Sequence, residues 1–231
     1  NTVRGPFRSV RLRRAVNFAM DRSALAADTG FGEPGRPADQ LVAPGVPGFE
    51  DVQIYPLGAP DLMRARELVG DRRLGAVLYT CNLPGCARQA EILRSNLERI
   101  GIALDVRRFP LEQLFDRTAN PDEPFDIGFG NWFADYADPS NFIGLFGSEG
   151  YLAPLTEDPE LKRQIAAAES ATGDERLAAY AAADRYIAEQ ALIAAYASGK
   201  ITHFLSTRMG CEVLHPVNGL LLNTLCVEEE G

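Results

Sequence analysis

Histidine is nearly absent from this chain. His203 and His215 are the only two in 231 residues, and neither falls in a metal-ligand spacing. The cysteines supply no C-x2-C pair, so a zinc site has little to draw on. No G-x-S-x-G, P-loop or G-x-G-x-x-G run occurs. Gly128-Phe129-Gly130 follows a strand-like run but lacks the third glycine. Bases are outnumbered, 23 against 32 acids, for a net charge of −9. That balance argues against nucleic acid, whose phosphates need Lys and Arg. No apolar run approaches the roughly 20 residues of a membrane-spanning helix. The opening Asn1-Thr2-Val3-Arg4-Gly5-Pro6 has no apolar signal core. A mature chain and a cut one would open alike.

What is present suits a packed soluble protein. The chain is 46% hydrophobic and 24% charged, enough for one large domain or two small ones. Its four cysteines form two local pairs. Cys81 and Cys86 flank a turn, Asn82-Leu83-Pro84-Gly85, and Cys211 and Cys226 flank a hairpin pattern around Asn218-Gly219. Two disulfides in an oxidising compartment are favoured over reduced core thiols, and those over a four-cysteine metal site.

Strand and helix periods alternate through the middle of the chain. Residues 9–28 read as helix, restarted by an N-cap at Asp21, with Arg11, Arg13, Arg14 and Arg22 on a solvated face. From Gly30 to Pro60 glycine and proline dominate, predicting a surface excursion pinned by Phe31, Phe49, Ile54 and Tyr55. A short helix follows Pro60-Asp61 and stops at Gly70. The clearest fold signal comes next: a buried strand over Gly75–Thr80, an amphipathic helix over Ala87–Ile100, and a strand over Ile102–Arg107. Together they make a βαβ unit, hence parallel pairing and a right-handed crossover. A helix over Leu111–Arg117 and a strand over Phe125–Phe129 extend it to an α/β sheet. Helices are expected at 140–146, 158–171 and 175–190, and strands at 192–197, 200–205 and 220–227.

The richest stretch is Asn131-Trp132-Phe133-Ala134-Asp135-Tyr136-Ala137-Asp138-Pro139. It holds the only tryptophan, two more aromatics and two carboxylates where the chain leaves a strand. In α/β sheets small ligands bind at that edge. Asp135 there suits an ammonium, as a charge-assisted acceptor, and the Trp132 face can cover the same cation. The alternative is that Trp132 and Tyr136 plug a core. Asp138, before Pro139, is favoured as a helix cap. A glycosidase built on Asp135 and Asp138 lacks a second carboxylate motif beside them.

These motifs line up with a known family. The run Val10 to Arg22, with Leu97-Glu98-Arg99-Ile100-Gly101-Ile102, Phe125-Asp126-Ile127, Trp132 through Pro139 and Leu177 to Glu189, covers nearly the whole chain in order. It resembles the C-terminal lobe of the periplasmic solute-binding proteins of ABC transporters, in the oligopeptide/dipeptide-binding group (family 5, cluster C). The resemblance implies an α/β, periplasmic-binding-protein-like lobe, a mixed sheet flanked by helices. Residues 1–205 would form the ligand-binding lobe, and 206–231 would return toward an N-terminal lobe. Such proteins are much longer, so the chain reads as a fragment without that lobe, a signal or a lipid anchor.

The resemblance also implies a function. Two lobes close on a solute, which passes to an ABC permease outside the cytoplasm, in the periplasm or at the cell surface. In peptide-binding relatives the Asp of W-x-x-D-Y pairs with the peptide ammonium and the Trp lines the pocket. Those positions here are Asp135 and Trp132, with Asn131, Phe133 and Tyr136 beside them. A nickel complex, an oligosaccharide or an opine is the alternative ligand, and a hydrolase is a more distant reading. A monomer with no catalytic residue, metal or cofactor is expected. The cysteine pairs resemble those of some extracytoplasmic members, which supports Cys81–Cys86 and Cys211–Cys226 disulfides.

Overall fold

The computed structural model describes residues 1–27, 34–199, 202–215 and 219–227. Phe31, Asn218 and the ends of two expected elements (Asp28, and Lys200 with Ile201) lie outside the described residues.

The first helix, α1, covers Val10–Ala19, and α2 covers Arg22–Ala27. The Asp21 side chain accepts from the Ala24 N–H at 2.9 Å, so it caps α2 as the sequence predicts. Of the arginines expected on a solvated face only Arg11 is exposed, and all four are engaged by backbone carbonyls. Arg11 donates to the Glu67 and Leu68 carbonyls at 2.5 and 2.7 Å. Arg13 reaches the Gln190 carbonyl at 2.9 Å, and Arg14 the Glu189 carbonyl at 2.8 Å. Helix ends carry unpaired carbonyls and partial negative charge. Three cations of α1 therefore cap the C-terminal ends of two helices distant in sequence, α3 (Leu62–Val69) and α8 (Gly173–Glu189). Arg22 is fully buried and donates to the Ala38, Ala195 and Asn17 carbonyls and to Asn17 Oδ1.

The glycine- and proline-rich excursion is held by buried polar groups rather than by its aromatics alone. It contains β1 (Arg36–Pro37), which pairs antiparallel with β5 (Ala197–Ser198). Asp39 accepts from the Ile54 and Tyr55 N–H groups at 2.7 and 2.8 Å. Gln40 donates to Asp184 on α8 and accepts from Val52 N–H. Without regular ladders, the backbone groups of a buried loop need such side-chain partners.

The sheet follows the βαβ prediction. Strand β2 (Leu74–Cys81) pairs parallel with β3 (Ile102–Phe109) on one side and with β4 (Ile127–Gly128) on the other. The order is β3-β2-β4. Alternation sends Ala76 and Leu78 of β2 to one face and Val77, Tyr79 and Cys81 to the other. The first face packs with α1, α3 and α4 (Pro84–Glu98); the second packs with α5 (Leu111–Ala119) and Phe125. A strand buried on both faces reads as a continuous apolar run, which is why β2 is legible. Helix α4 starts at Pro84 rather than Ala87: proline at the first helical position turns the expected loop into the first turn.

A second core joins Val42, α6 (Ser140–Ile143), α7 (Pro159–Ser170) and α8. Of the strands expected at 192–197 and 200–205, only β5 forms among the described residues: Leu192, Ile193, Ala194 and Tyr196 pack into the two cores, and residues 202–205 are exposed and outside any ladder. The tail contributes nested antiparallel ribbons instead of one strand. Strand β6 (Met209–Gly210) pairs with β9 (Cys226–Val227), and β7 (Leu214–His215) pairs with β8 (Gly219–Leu220). Disulfides Cys81–Cys86 and Cys211–Cys226 are both formed, each with a Cα–Cα distance of 5.5 Å. The class is thus α/β with helices on both sheet faces.

Candidate functional site

Strand β4 delivers the aromatic-acidic stretch to the C-terminal edge of the sheet. Only Ile127 and Gly128 lie in the ladder, but the flanking Asp126 and Phe129 N–H groups donate to Val77 and Tyr79 carbonyls at 2.9 and 2.8 Å. The Asp126 carboxylate also accepts from the Val77 N–H at 2.8 Å, locking β4 onto β2 from below. At Gly128 a Cβ would meet Thr118 at 3.0 Å and Phe125 at 3.3 Å, so any larger residue would have to displace those side chains slightly.

Past Gly130 the chain turns outward. Trp132, Phe133 and Tyr136 are 43%, 52% and 51% exposed, and Asp135 is exposed as well. The expected alternative of an aromatic core plug therefore fails. Ala134 packs inward, and Phe142 and Ile143 of α6 fill the core beneath. Asn131 is half-buried at the start of the segment. The Tyr136 hydroxyl lies 3.4 Å from Ser140 Oγ.

Asn141 organises this surface, and sequence reasoning missed it. It is buried on α6, and its Oδ1 accepts from the Trp132 indole N–H at 2.8 Å and from the Asp135 backbone N–H at 3.2 Å. Its Nδ2 donates to Asp135 Oδ2 at 3.2 Å. Trp132 and Asp135, the two residues singled out in the sequence, are thus joined through one amide. The available signal was an asparagine in the first turn of an apolar helix, just after the motif.

Asp138 is structural, and is more than a cap. Its Oδ1 accepts from the Ser140 N–H at 2.9 Å, as expected. Both its oxygens also take the guanidinium of Arg176 on α8, at 2.7 and 2.8 Å. The Arg176 pair, aided by Ser140, holds the Asp138 carboxyl far below the usual carboxylate range and raises Arg176 in turn. Nothing near Asp138 in sequence announces Arg176.

The surface is an open shelf. A shallow concavity of about 330 Å³ lies elsewhere, against α5, lined by Gln113, Asp116, Arg117, Asn120 and Glu123. The 131–139 segment contributes nothing to it. Physically, the shelf offers aromatic faces and one carboxylate, a combination suited to a cation with an apolar body.

The profile of bacterial extracellular solute-binding proteins, family 5 Middle, matches residues 1–152. The chain belongs to that family. Its members are solute-binding proteins rather than enzymes, and they work outside the cytoplasm. Among the described residues of this solute-binding protein, no helix is long and apolar enough to cross a membrane.

Two curated relatives are named for peptides. Di/tripeptide-binding protein 2 of Pseudomonas aeruginosa is 29% identical over 149 residues, covering 62% of this chain and 27% of the relative. Oligopeptide-binding protein OppA of Bacillus subtilis is 25% identical over 180 residues, covering 71% of this chain and 32% of OppA. Among solved structures, the Escherichia coli murein tripeptide binding protein MppA superposes with a TM-score of 0.82 at 20% identity, over 100% of this chain and 47% of its own. Clavulanic acid biosynthesis oligopeptide binding protein 2 gives a TM-score of 0.86 at 24% identity, over 97% of this chain and 44% of its own. At those identities the superpositions carry the fold alone, that of periplasmic binding proteins. The matches take in less than half the length of each of these relatives.

Proposed function

We propose that residues 1–205 form one lobe of a two-lobed binding protein that captures oligopeptides, or similar ammonium-bearing solutes, and hands them to an ABC permease. Residues 206–231, with their nested ribbons, run back toward the other lobe. Capture takes place in the periplasm or at the cell surface, by a monomer that a lipid anchor or the permease keeps near the membrane. Asp135 receives the solute ammonium, Trp132 covers it, and Asn131, Phe133 and Tyr136 line the approach.

The observation that carries this reading is that Trp132 and Asp135 stand exposed at the sheet edge and are joined through the buried Asn141 amide. Closing a second lobe over it would remove water and strengthen the charge interaction. The peptide-named relatives support the same ligand class. A relative named heme-binding protein A, of Haemophilus influenzae, is 26% identical over 160 residues and supports a second reading, a non-peptide ligand on the same fold.

Calorimetric titration of the full-length protein with a small peptide set tests the first reading. Asp135→Ala is expected to weaken free-amine peptides by roughly ten- to a hundredfold, the loss of a shielded charge-assisted bond. N-acetylated peptides should bind no better to wild type than free ones do to the variant. Equal binding of acetylated and free peptides by wild type would overturn the ammonium role.

A further inference from the structure

The turn after β2 breaks a local rule. Helix α4 has 15 residues, and its N-cap is Leu83. Ser, Thr, Asp and Asn are preferred there because their side chains accept from the first free N–H groups. The Leu83 carbonyl accepts from the Ala87 N–H at 3.0 Å, but the side chain makes no cap. Nor does that side chain serve the core, since it is 51% exposed. We infer that Leu83 is a specificity residue, the apolar wall that receives the first side chain of a bound peptide. The inference rests on the peptide reading given above.

Its place in the sheet supports this. Strand β2 is central, so its C-terminal end opens between the ends of β3 and β4. The Asn82 N–H donates to the Phe109 carbonyl of β3 at 2.9 Å, and the Phe129 N–H donates to the Tyr79 carbonyl at 2.8 Å. The β2–β4 register pairs Tyr79 with Gly128. Continued by two residues, it sets Cys81 beside Gly130, where the shelf begins. Adjacent strands lie about 4.8 Å apart, so the turn and the shelf rise from one edge side by side. The side chain next to an ammonium at Asp135 has Leu83 as its aliphatic surface on the β2 side.

The turn is also held still. Cys81 and Cys86, both buried, are bridged across Asn82, Leu83, Pro84 and Gly85. Proline confines the residue before it to extended backbone, and Leu83 has φ −73° and ψ 152°. A wall set in place before binding loses little freedom when a ligand meets it. A leucine here forgoes a cap, and local rules are broken in this way chiefly at functional sites.

Two substitutions in the full-length protein test this. Leu83→Ala removes the aliphatic surface. Leu83→Ser removes it and restores a cap, so its folded-to-unfolded ratio in urea should rise by roughly fivefold. A variant that folds more tightly and yet selects less cannot owe its loss to unfolding. The dipeptides Leu-Ala and Ala-Ala are then titrated calorimetrically. Wild type should favour Leu-Ala by about tenfold, the burial of one aliphatic side chain. Both variants should narrow that ratio to about threefold or less.

An unchanged ratio in the two variants overturns the role of Leu83. So does an equal loss of affinity for both dipeptides, which would mark Leu83 as a contact between lobes. If Asp135→Ala leaves affinity intact while Leu83→Ala narrows the ratio, the ammonium role falls and the wall stands. If wild type binds neither dipeptide, the peptide reading and the wall fall together.

Discussion

Arg176 grips Asp138 by both carboxylate oxygens, at 2.8 and 2.7 Å, and lays its guanidinium over the Tyr180 ring at 4.8 Å. The pair ties the exposed shelf to a helix of the second core. Both side chains are partly exposed, at 27% and 30%, so solvent reduces the pair to about 1 kcal/mol. Asp138 is held well below its ordinary value by Arg176 first and Ser140 next. A depressed carboxyl stabilises the fold fully above its unfolded pKa of about 3.9 and progressively less as pH falls toward the folded value. Urea denaturation of Arg176→Met should therefore show a loss at pH 7 that shrinks at pH 2.5. An equal loss at both would mean that the ion pair is not its source.

Asp184 should behave in the opposite sense. It is 2% exposed, and burial pushes its carboxyl up despite donors from Gln40, Leu41 and Val42. A raised acid binds more protons in the folded state, so its contribution falls as pH rises from the unfolded pKa through the folded one. Asp184→Asn removes that titration and, in either amide orientation, sets its nitrogen against a donor, the Gln40 amide or the Leu41 and Val42 N–H groups. The variant should lose about 1–3 kcal/mol at pH 7. Its stability should also decline less than wild type between pH 4 and pH 6, read by urea midpoints.

Arg22 is the largest fully buried side chain, and it closes carbonyls from three separate stretches. Burial lowers its basicity to about 10, so it remains charged at neutral pH. Arg22→Met keeps length and volume but orphans those carbonyls. A loss of roughly 3–5 kcal/mol is expected, the scale of breaking a buried charged network. Arg22→Lys should recover only part of it, since one ammonium lacks the fork. Thermal melts of both variants check the ranking.

The two disulfides close loops of different length, with sequence separations of 5 and 15. Loop-closure entropy gives about 2 kcal/mol for the shorter and about 3 kcal/mol for the longer. Replacing Cys211 and Cys226 by serine should raise amide exchange over 209–227 and leave β2 protected. Replacing Cys81 and Cys86 should loosen the β2–α4 junction instead. Mass before and after reduction and alkylation reports whether both bridges exist in solution.

The sheet was legible because its physics is local. Residues 75–80 are apolar on both faces, and Leu97 and Ile100 repeat at helical spacing before Gly101. The cap at Asp21 was legible for the same reason, since a cap bonds three residues away. The arginines of α1 were misjudged because their partners, at Glu67 and Glu189, are set by tertiary packing. Periodicity sees a charged face and not the carbonyls opposite it. The strands expected at 192–197 and 200–205 shrank likewise, because among the described residues there only Ala197 and Ser198 find a partner strand, in β1. At the shelf, Trp132 and Asp135 stood out by composition. Asn141 did not, since its role depends on a turn that folds it back on the motif.

The strand order leaves β3 and β4 as the two borders of the sheet. Strand β4 is two residues long, and β3 carries Asp105, Arg107 and Arg108. Brevity on one border and charge on the other discourage a further chain from pairing its backbone there. A second copy of the protein therefore finds neither border suited to backbone pairing, and the sheet is protected against edge-to-edge association.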